Sequence, residues 1–255
     1  MSNPKILAVD LSNYSISASH GSDASYPVTN IQDYEYDTIW KSSDASSTPQ
    51  YLWFDLLSTQ TLDAIILHNY NIGTDPNGFI TLSGSTNNST WSAIATDSIA
   101  YLSTGPVVRT FTAASYRYIK VFLNGIIEAA PYIGNVFIGS LLEFNTPYEF
   151  GYKKADTSYQ TTEVVTLDGR IRTSQIMNGR YIWELSFKLQ DDTLANNFRT
   201  FIYRVGGKES PFYFIDTDGS TVRYVHLTSD YVPVTTYRYG KNNITLKMLE
   251  HQATR

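Results

Sequence analysis

The chain has 255 residues, of which 42% are hydrophobic, 14% aromatic and 17% charged. That length suits one large domain or two ordinary ones, and either can bury a full core. The aromatic content excludes a disordered chain. A net charge of -5 with no run of Lys and Arg argues against a nucleic-acid binder, which needs a basic face.

The absence of cysteine excludes structural disulfides, thiolate nucleophiles and Cys-ligated zinc. Twenty tyrosines against three methionines indicate a β-rich chain, because aromatics suit pleated, half-buried surfaces. No apolar run approaches the roughly 18 residues of a spanning helix, so no membrane role is expected. Near the start, Ile6-Leu7-Ala8-Val9 is cut short by Asp10, which argues against a cleaved signal peptide.

In chain order, residues 51–57 read as a strand with Trp53 and Phe54 at its centre. Residues 62–68 are almost wholly apolar, which predicts a strand buried on both faces. Residues 79–82 run into the turn-rich 83–88. Residues 116–123 alternate, with Ile119, Val121 and Leu123 on one face and Tyr118, Lys120 and Phe122 on the other. A further apolar stretch spans 134–142. Short strands without a helical period predict a sandwich or jelly roll.

The second half has a different pattern. Tyr181, Trp183, Leu185, Phe187 and Leu189 alternate with polar neighbours, as in a half-buried strand. A helix is expected from Asp192 to Val205, capped by Asp191 or Asp192 and stopped by Gly206-Gly207. Its apolar face carries Leu194, Phe198, Phe201, Ile202 and Val205. Strands are expected at 211–215 and 222–227, joined by a turn at Asp216-Thr217-Asp218-Gly219. Ile244, Leu246 and Met248 alternate near the end. The change of pattern near Asn145-Thr146-Pro147 divides the chain into 1–144 and 145–255.

The search for catalytic chemistry is negative. There is no G-x-S-x-G elbow, phosphate-binding glycine motif or H-E-x-x-H, and the four histidines lack ligand-like spacing. No catalytic or metal-ligating residue is assigned, no cofactor is expected, and the protein is read as a non-enzyme. The aspartate turn at 216–219 begins like a calcium loop, but Leu227 stands where loop position twelve needs a glutamate, so it is read as a plain turn.

The order of pieces in the first half resembles the discoidin-type, galactose-binding-like jelly roll. These pieces are Asp33, Thr38-Ile39-Trp40, a Trp53-containing strand ending Asp55-Leu56, the buried 62–68 strand, a Ser-rich stretch leading to Trp91, Arg117-Tyr118-Ile119 and the closing strand from Ile133. The resemblance covers residues 24–142 and implies a sandwich whose end loops bind glycans or other surfaces. Trp40, Trp53 and Trp91 match family positions that are usually core. Tyr34 and Glu35 stand where the family commonly has Gly and Asn, which leaves open whether this loop holds the calcium often found there. Tyr34, Tyr36, Tyr70 and Asn71 are the candidate ligand-binding residues, because tyrosine rings in polar loops stack on sugars and hydrogen-bond at their rims.

The second half resembles the tube and hub domain of long-tailed bacteriophage tail proteins. The strand 181–189, the helix ended by Gly206-Gly207 and the aromatic strand Phe212-Tyr213-Phe214-Ile215-Asp216 carry this resemblance. It implies a ring-forming, hexamer-like tail or baseplate component, synthesised in bacterial cytoplasm and carried in the virion. Its partners would be other tail proteins and a host-surface glycan. The expected fold is mainly all-β: a jelly roll over 1–144, then a tail-tube-like β domain with one helix over 145–255. The alternative is a free carbohydrate-binding module or lectin.

Overall fold

A computed structural model describes residues 2–9, 14–35, 37–45, 49–72, 79–95, 105–124, 130–156, 160–165, 171–177, 180–230, 234–238 and 240–251. Among the described residues the fold is mainly β with one α-helix, as composition and periodicity predict. After β1 (Lys5–Leu7), the first half contains β2 (Ser15–Ala18), β3 (Trp40–Lys41), β4 (Gln50–Tyr70), β5 (Phe79–Ser85), β6 (Ser92–Ala95), β7 (Val107–Asn124) and β8 (Tyr132–Gly139). These form a seven-stranded sheet in the order β3-β8-β4-β7-β5-β6, with β2 also on β4. Two strands expected at 51–57 and 62–68 are one, because β4 runs through a register shift between Asp55 and Gln60, where Leu57 takes φ +62°. The amino-terminal part of β4 pairs with β2 and the end of β7. Its carboxy-terminal part pairs with β8 and the start of β7. The two long strands thereby serve both layers of a jelly roll.

The second half contains β9 (Leu142–Glu143), β10 (Lys153–Asp156), β11 (Gln160–Val165), β12 (Ile171–Met177), β13 (Tyr181–Asp191), α1 (Asp192–Arg204), β14 (Phe212–Ile215), β15 (Val222–Leu227), β16 (Val234–Arg238) and β17 (Lys241–Glu250). Strands β11 and β12 form a separate hairpin. The remaining strands form an eight-stranded sheet in the order β10-β13-β17-β15-β14-β1-β9, with β16 also on β17.

The α1 boundaries follow from the predicted signals. Asp191 accepts from the Leu194 amide at 2.7 Å, answering a free first-turn donor. Gly206 and Gly207 take φ +60° and +67°, and the Gly207 amide returns to the Ile202 carbonyl at 3.2 Å. Leu194, Ala195, Phe198, Phe201 and Val205 are buried, while Ile202 is partly buried against the same core. In β13, Trp183, Leu185 and Phe187 are buried, but Leu189 is exposed at φ +59° because the register shifts after Phe187. The 216–219 turn is a tight hairpin turn, with the Gly219 amide on the Asp216 carbonyl at 2.9 Å. The Thr221 hydroxyl, then the Thr221 and Ser220 amides, donate to Asp218 and hold its carboxyl down at about 2.

Sheet membership does not follow the expected division at 144/145. Strand β1, from the first nine residues, inserts between β14 and β9 of the second sheet. Its side chains alternate between two cores: Leu7 and Val9 join the jelly-roll core, and Ile6 and Ala8 join the core around α1. Strand β14 alternates likewise. Tyr213 and Ile215 face the jelly roll, while Phe212 and Phe214 face the helix. The eight-stranded sheet is therefore covered on both sides here, which explains why all four residues of β14 are buried. The same cover explains the fully buried run 64–67 in β4, since the layer of β4 and β8 has the jelly-roll interior on one side and the second sheet on the other.

Candidate functional site

The three described candidates, Tyr34, Tyr70 and Asn71, do not make one open surface. Tyr34 sits at φ +59°, with its ring edge-on to Phe137 at 6.3 Å and its hydroxyl donating to the Val9 carbonyl at 3.4 Å. Tyr36 lies outside the described residues. Tyr70 is 3% exposed, within the jelly-roll core. The Asn71 carboxamide bridges two backbone groups: it donates to the Ala130 carbonyl at 3.1 Å and accepts from the Tyr132 amide at 2.8 Å. Two physical causes place these side chains. Tyr34 packs against the core that also holds Tyr213 and Tyr224 of the second sheet, and its carbonyl accepts from the Tyr224 hydroxyl at 2.8 Å. Tyr70 faces inward because it continues the alternation of β4.

This seam also gathers polar and titratable groups. The Tyr213 hydroxyl reaches Asn135 Oδ1 at 3.4 Å, and Asn135 Nδ2 donates to the Glu35 carbonyl at 3.2 Å. Burial pushes His68 down to about 4, against the opposing pull of Asp37. His226 and His251, far apart in sequence, lie with ring centroids 6.2 Å apart, and burial lowers both. Among the described residues no group of three or more His, Asp or Glu is arranged to hold a metal.

A second group of aromatic and charged side chains lies half-buried on the outer face of the jelly roll. Along β4, Leu52, Phe54 and Leu56 point into the core, so the alternating Tyr51, Trp53 and Asp55 point out. On β7, Ile119, Val121 and Leu123 point in, so Tyr118, Lys120 and Phe122 point out. The register sets Tyr51 opposite Phe122, Trp53 opposite Lys120 and Asp55 opposite Tyr118. The result is a half-exposed platform. Trp53 and Tyr118 are parallel to within 5° at 5.9 Å, and Tyr51 meets Phe122 at 5.4 Å.

Cations fix this platform. The Lys120 ammonium lies 4.1 Å from the centroid of Trp91 and 4.6 Å from that of Tyr51, within cation–π range. Arg117 grips Asp55 through two bonds of 2.9 and 3.0 Å, and this pairing holds the Asp55 carboxyl below its usual value. The neighbouring strands present short hydroxyl side chains: Ser17 opposite Trp53, with Thr81 and Ser83 opposite Phe122 and Lys120. Flat rings flanked by hydroxyls and cations can stack on the apolar face of a sugar ring and hydrogen-bond to its rim.

Of the three tryptophans read as core, only Trp40 is buried, at 1% exposure, with Nε1 donating to Ser22 Oγ at 2.9 Å. Trp53 and Trp91 are half-buried on the outer face. The signal was present in the alternation of Tyr118, Lys120 and Phe122. Its match to Tyr51 and Trp53 required the cross-strand register.

The match to a family model accords with the architecture of this half. Residues 15–135 match the family model of the F5/8 type C domain. No curated protein matches the chain. Among solved structures, the module CpGH89CBM32-5 from Clostridium perfringens, in complex with GalNAc-beta-1,3-galactose, shares 13% identity. The alignment covers 52% of this chain and 99% of that one, with a TM-score of 0.44. Chitosan-binding module 1 of a chitosanase/glucanase from Paenibacillus sp. IK-5 shares 20% identity over 52% and 99%, with a TM-score of 0.43. The family 32 carbohydrate-binding module of Clostridium perfringens NanJ, in complex with galactose, shares 18% over 52% and 98%, with a TM-score of 0.43. The fold of the N-terminal half is a discoidin-like jelly roll, and residues 15–135 of it match the F5/8 type C domain model.

Proposed function

We propose that the protein recognises carbohydrate without transforming it, and that the outer face of the jelly roll is the contact surface. The observation that carries this reading is the platform of Tyr51, Trp53, Tyr118 and Phe122, backed by Lys120, on an F5/8 type C fold. Stacking on such rings is shallow, so single-site affinity is weak; a millimolar dissociation constant corresponds to about -4 kcal/mol. Display of several copies would convert weak contacts into firm attachment. The test is retention on a panel of immobilised neutral polysaccharides. The wild-type chain is expected to be held by at least one, and Trp53→Ala with Tyr118→Ala to be released while still folded. A folded double variant with undiminished retention sinks this surface as the site.

A second reading, a ring-forming component of a phage tail, draws on the second half. Hairpin β11–β12 pairs with no other strand among the described residues, and the eight-stranded sheet ends on β10 and β9. Sheet edges and a separate hairpin are elements that subunits use to pair with one another. In that setting the jelly roll would contact other tail proteins or a host-surface glycan. Mass measurement in solution separates the readings: a hexamer-like mass supports the ring, and a monomer or dimer supports the free binding module.

A further inference from the structure

A cleft of about 630 Å³ opens where α1 meets the jelly roll. It lies within the roughly 300–1,000 Å³ of ordinary ligand sites. A contiguous pocket of about 190 Å³ continues it along the helix toward Asn197. One wall comes from the jelly roll, through Tyr14, Gln60 and Ser140, and the other from the last turn of α1, through Thr200, Tyr203 and Arg204. Neither half alone supplies the site.

The chemistry of the lining is specific. Arg204 is the cation among the described residues that line both spaces, and none of those residues is a carboxylate. Asp63 approaches Ser140 from outside the lining, but one of its oxygens accepts from the Leu141 amide at 2.8 Å and the other faces the Ser140 hydroxyl at 3.5 Å. The Arg204 guanidinium spends one donor on the Ala8 carbonyl, at 3.2 Å. A guanidinium has five N–H donors in a planar fork, so this bond anchors it and leaves donors for a ligand. Tyr203 stands beside it with 86% of its surface exposed. The carboxyl end of α1 contributes a partial negative charge of about half a unit that fades within one turn, less than the full charge of the guanidinium.

We infer that this cleft binds a carboxylate-bearing saccharide unit, such as a uronic or sialic acid. The carboxylate meets the Arg204 fork, the sugar ring lies against Tyr203, and its hydroxyls meet Thr200, Gln60 and Ser140. Charge-assisted bonds of this kind are about twice as strong as neutral ones, which selects acidic over neutral sugars. The site is separate from the aromatic platform and does not depend on it.

The test is calorimetric titration of the full chain with glucuronic acid, N-acetylneuraminic acid and glucose. At least one acidic sugar should bind, more weakly as salt is raised, and at least tenfold more tightly than glucose. Arg204→Ala should reduce that binding at least tenfold and Tyr203→Ala several-fold; both residues are exposed, so both variants should melt like the wild type. The Trp53→Ala, Tyr118→Ala variant should bind the acidic sugar unchanged, which separates this site from the platform. Equal binding of glucose, no binding of either acid, or an Arg204→Ala variant with undiminished binding overturns the inference.

Discussion

The Tyr224 hydroxyl donates to the backbone carbonyl of Tyr34 at 2.8 Å, joining residues 190 apart in sequence. This bond ties the jelly roll at Tyr34 to β15 of the second sheet. Tyr224 is 2% exposed and packs on Phe137 and Tyr213. Tyr224→Phe keeps the ring and removes only the donor. It should lower unfolding free energy by about 0.5–1.5 kcal/mol in urea titration. No measurable loss would mean the clamp adds nothing to the seam.

Acid sensitivity should come first from the buried histidines. An unfolded histidine titrates near 6.5, whereas His68 in the fold titrates at about 4. Between those values the unfolded chain binds more protons, so stability falls as pH falls from about 6.5 to about 4. His226 and His251 are lowered too and act in the same direction. For His68 alone the deficit is roughly 3 kcal/mol at completion. Asp55, Asp191 and Asp218 are lowered from 3.8, so their contribution is lost only at more acid pH. Denaturant midpoints measured from pH 7.5 to 4.5 should fall steadily, and His68→Gln should flatten the slope.

Phe198 is fully buried at the centre of the second core, 5.9 Å from Phe144 and 5.3 Å from Phe201. Phe198→Ala should cost roughly 3–5 kcal/mol, the usual effect of emptying a fully packed aromatic site. A loss below about 1 kcal/mol would show that α1 is peripheral to stability.

Gly84 on β5 is buried beneath Tyr116. A methyl group added there would stand 2.5 Å from the Tyr116 ring. Gly84→Ala should therefore destabilise by about 1–3 kcal/mol through displacement of that ring. Gly84→Ala combined with Tyr116→Ala should recover part of the loss, a coupling that thermal melts of the single and double variants can measure.

A fragment of residues 1–144 keeps the strands of the seven-stranded sheet but loses β14, the partner of β1. It also uncovers Phe137, which rests on Tyr213 at 4.9 Å. We expect a cooperative melt at a lower midpoint than that of the whole chain. A fragment without a cooperative transition would make the two halves one folding unit.

Much of this fold was legible in the sequence because the signals are local. The α1 cap, its apolar face and its two glycines lie within one short segment, and the 216–219 turn needs only its own residues. The alternation of β7, β17 and β13 as far as Phe187, and the apolar run at 62–68, indicate which side chains are buried, because a strand's period is two wherever its backbone stays regular; the irregularity after Phe187 turns Leu189 outward. Tertiary structure alone decided which strands meet. Nothing near Ile6 and Leu7 indicates that they pair with β14, more than 200 residues away. The second sheet then covers the end where Tyr34 was expected to meet a ligand. The β4–β7 register puts Trp53 beside Tyr118 on the outer face, and the approach of α1 to the jelly roll forms the Arg204 cleft. Such pairings arise from long-range burial and register, which a chain's local period does not encode.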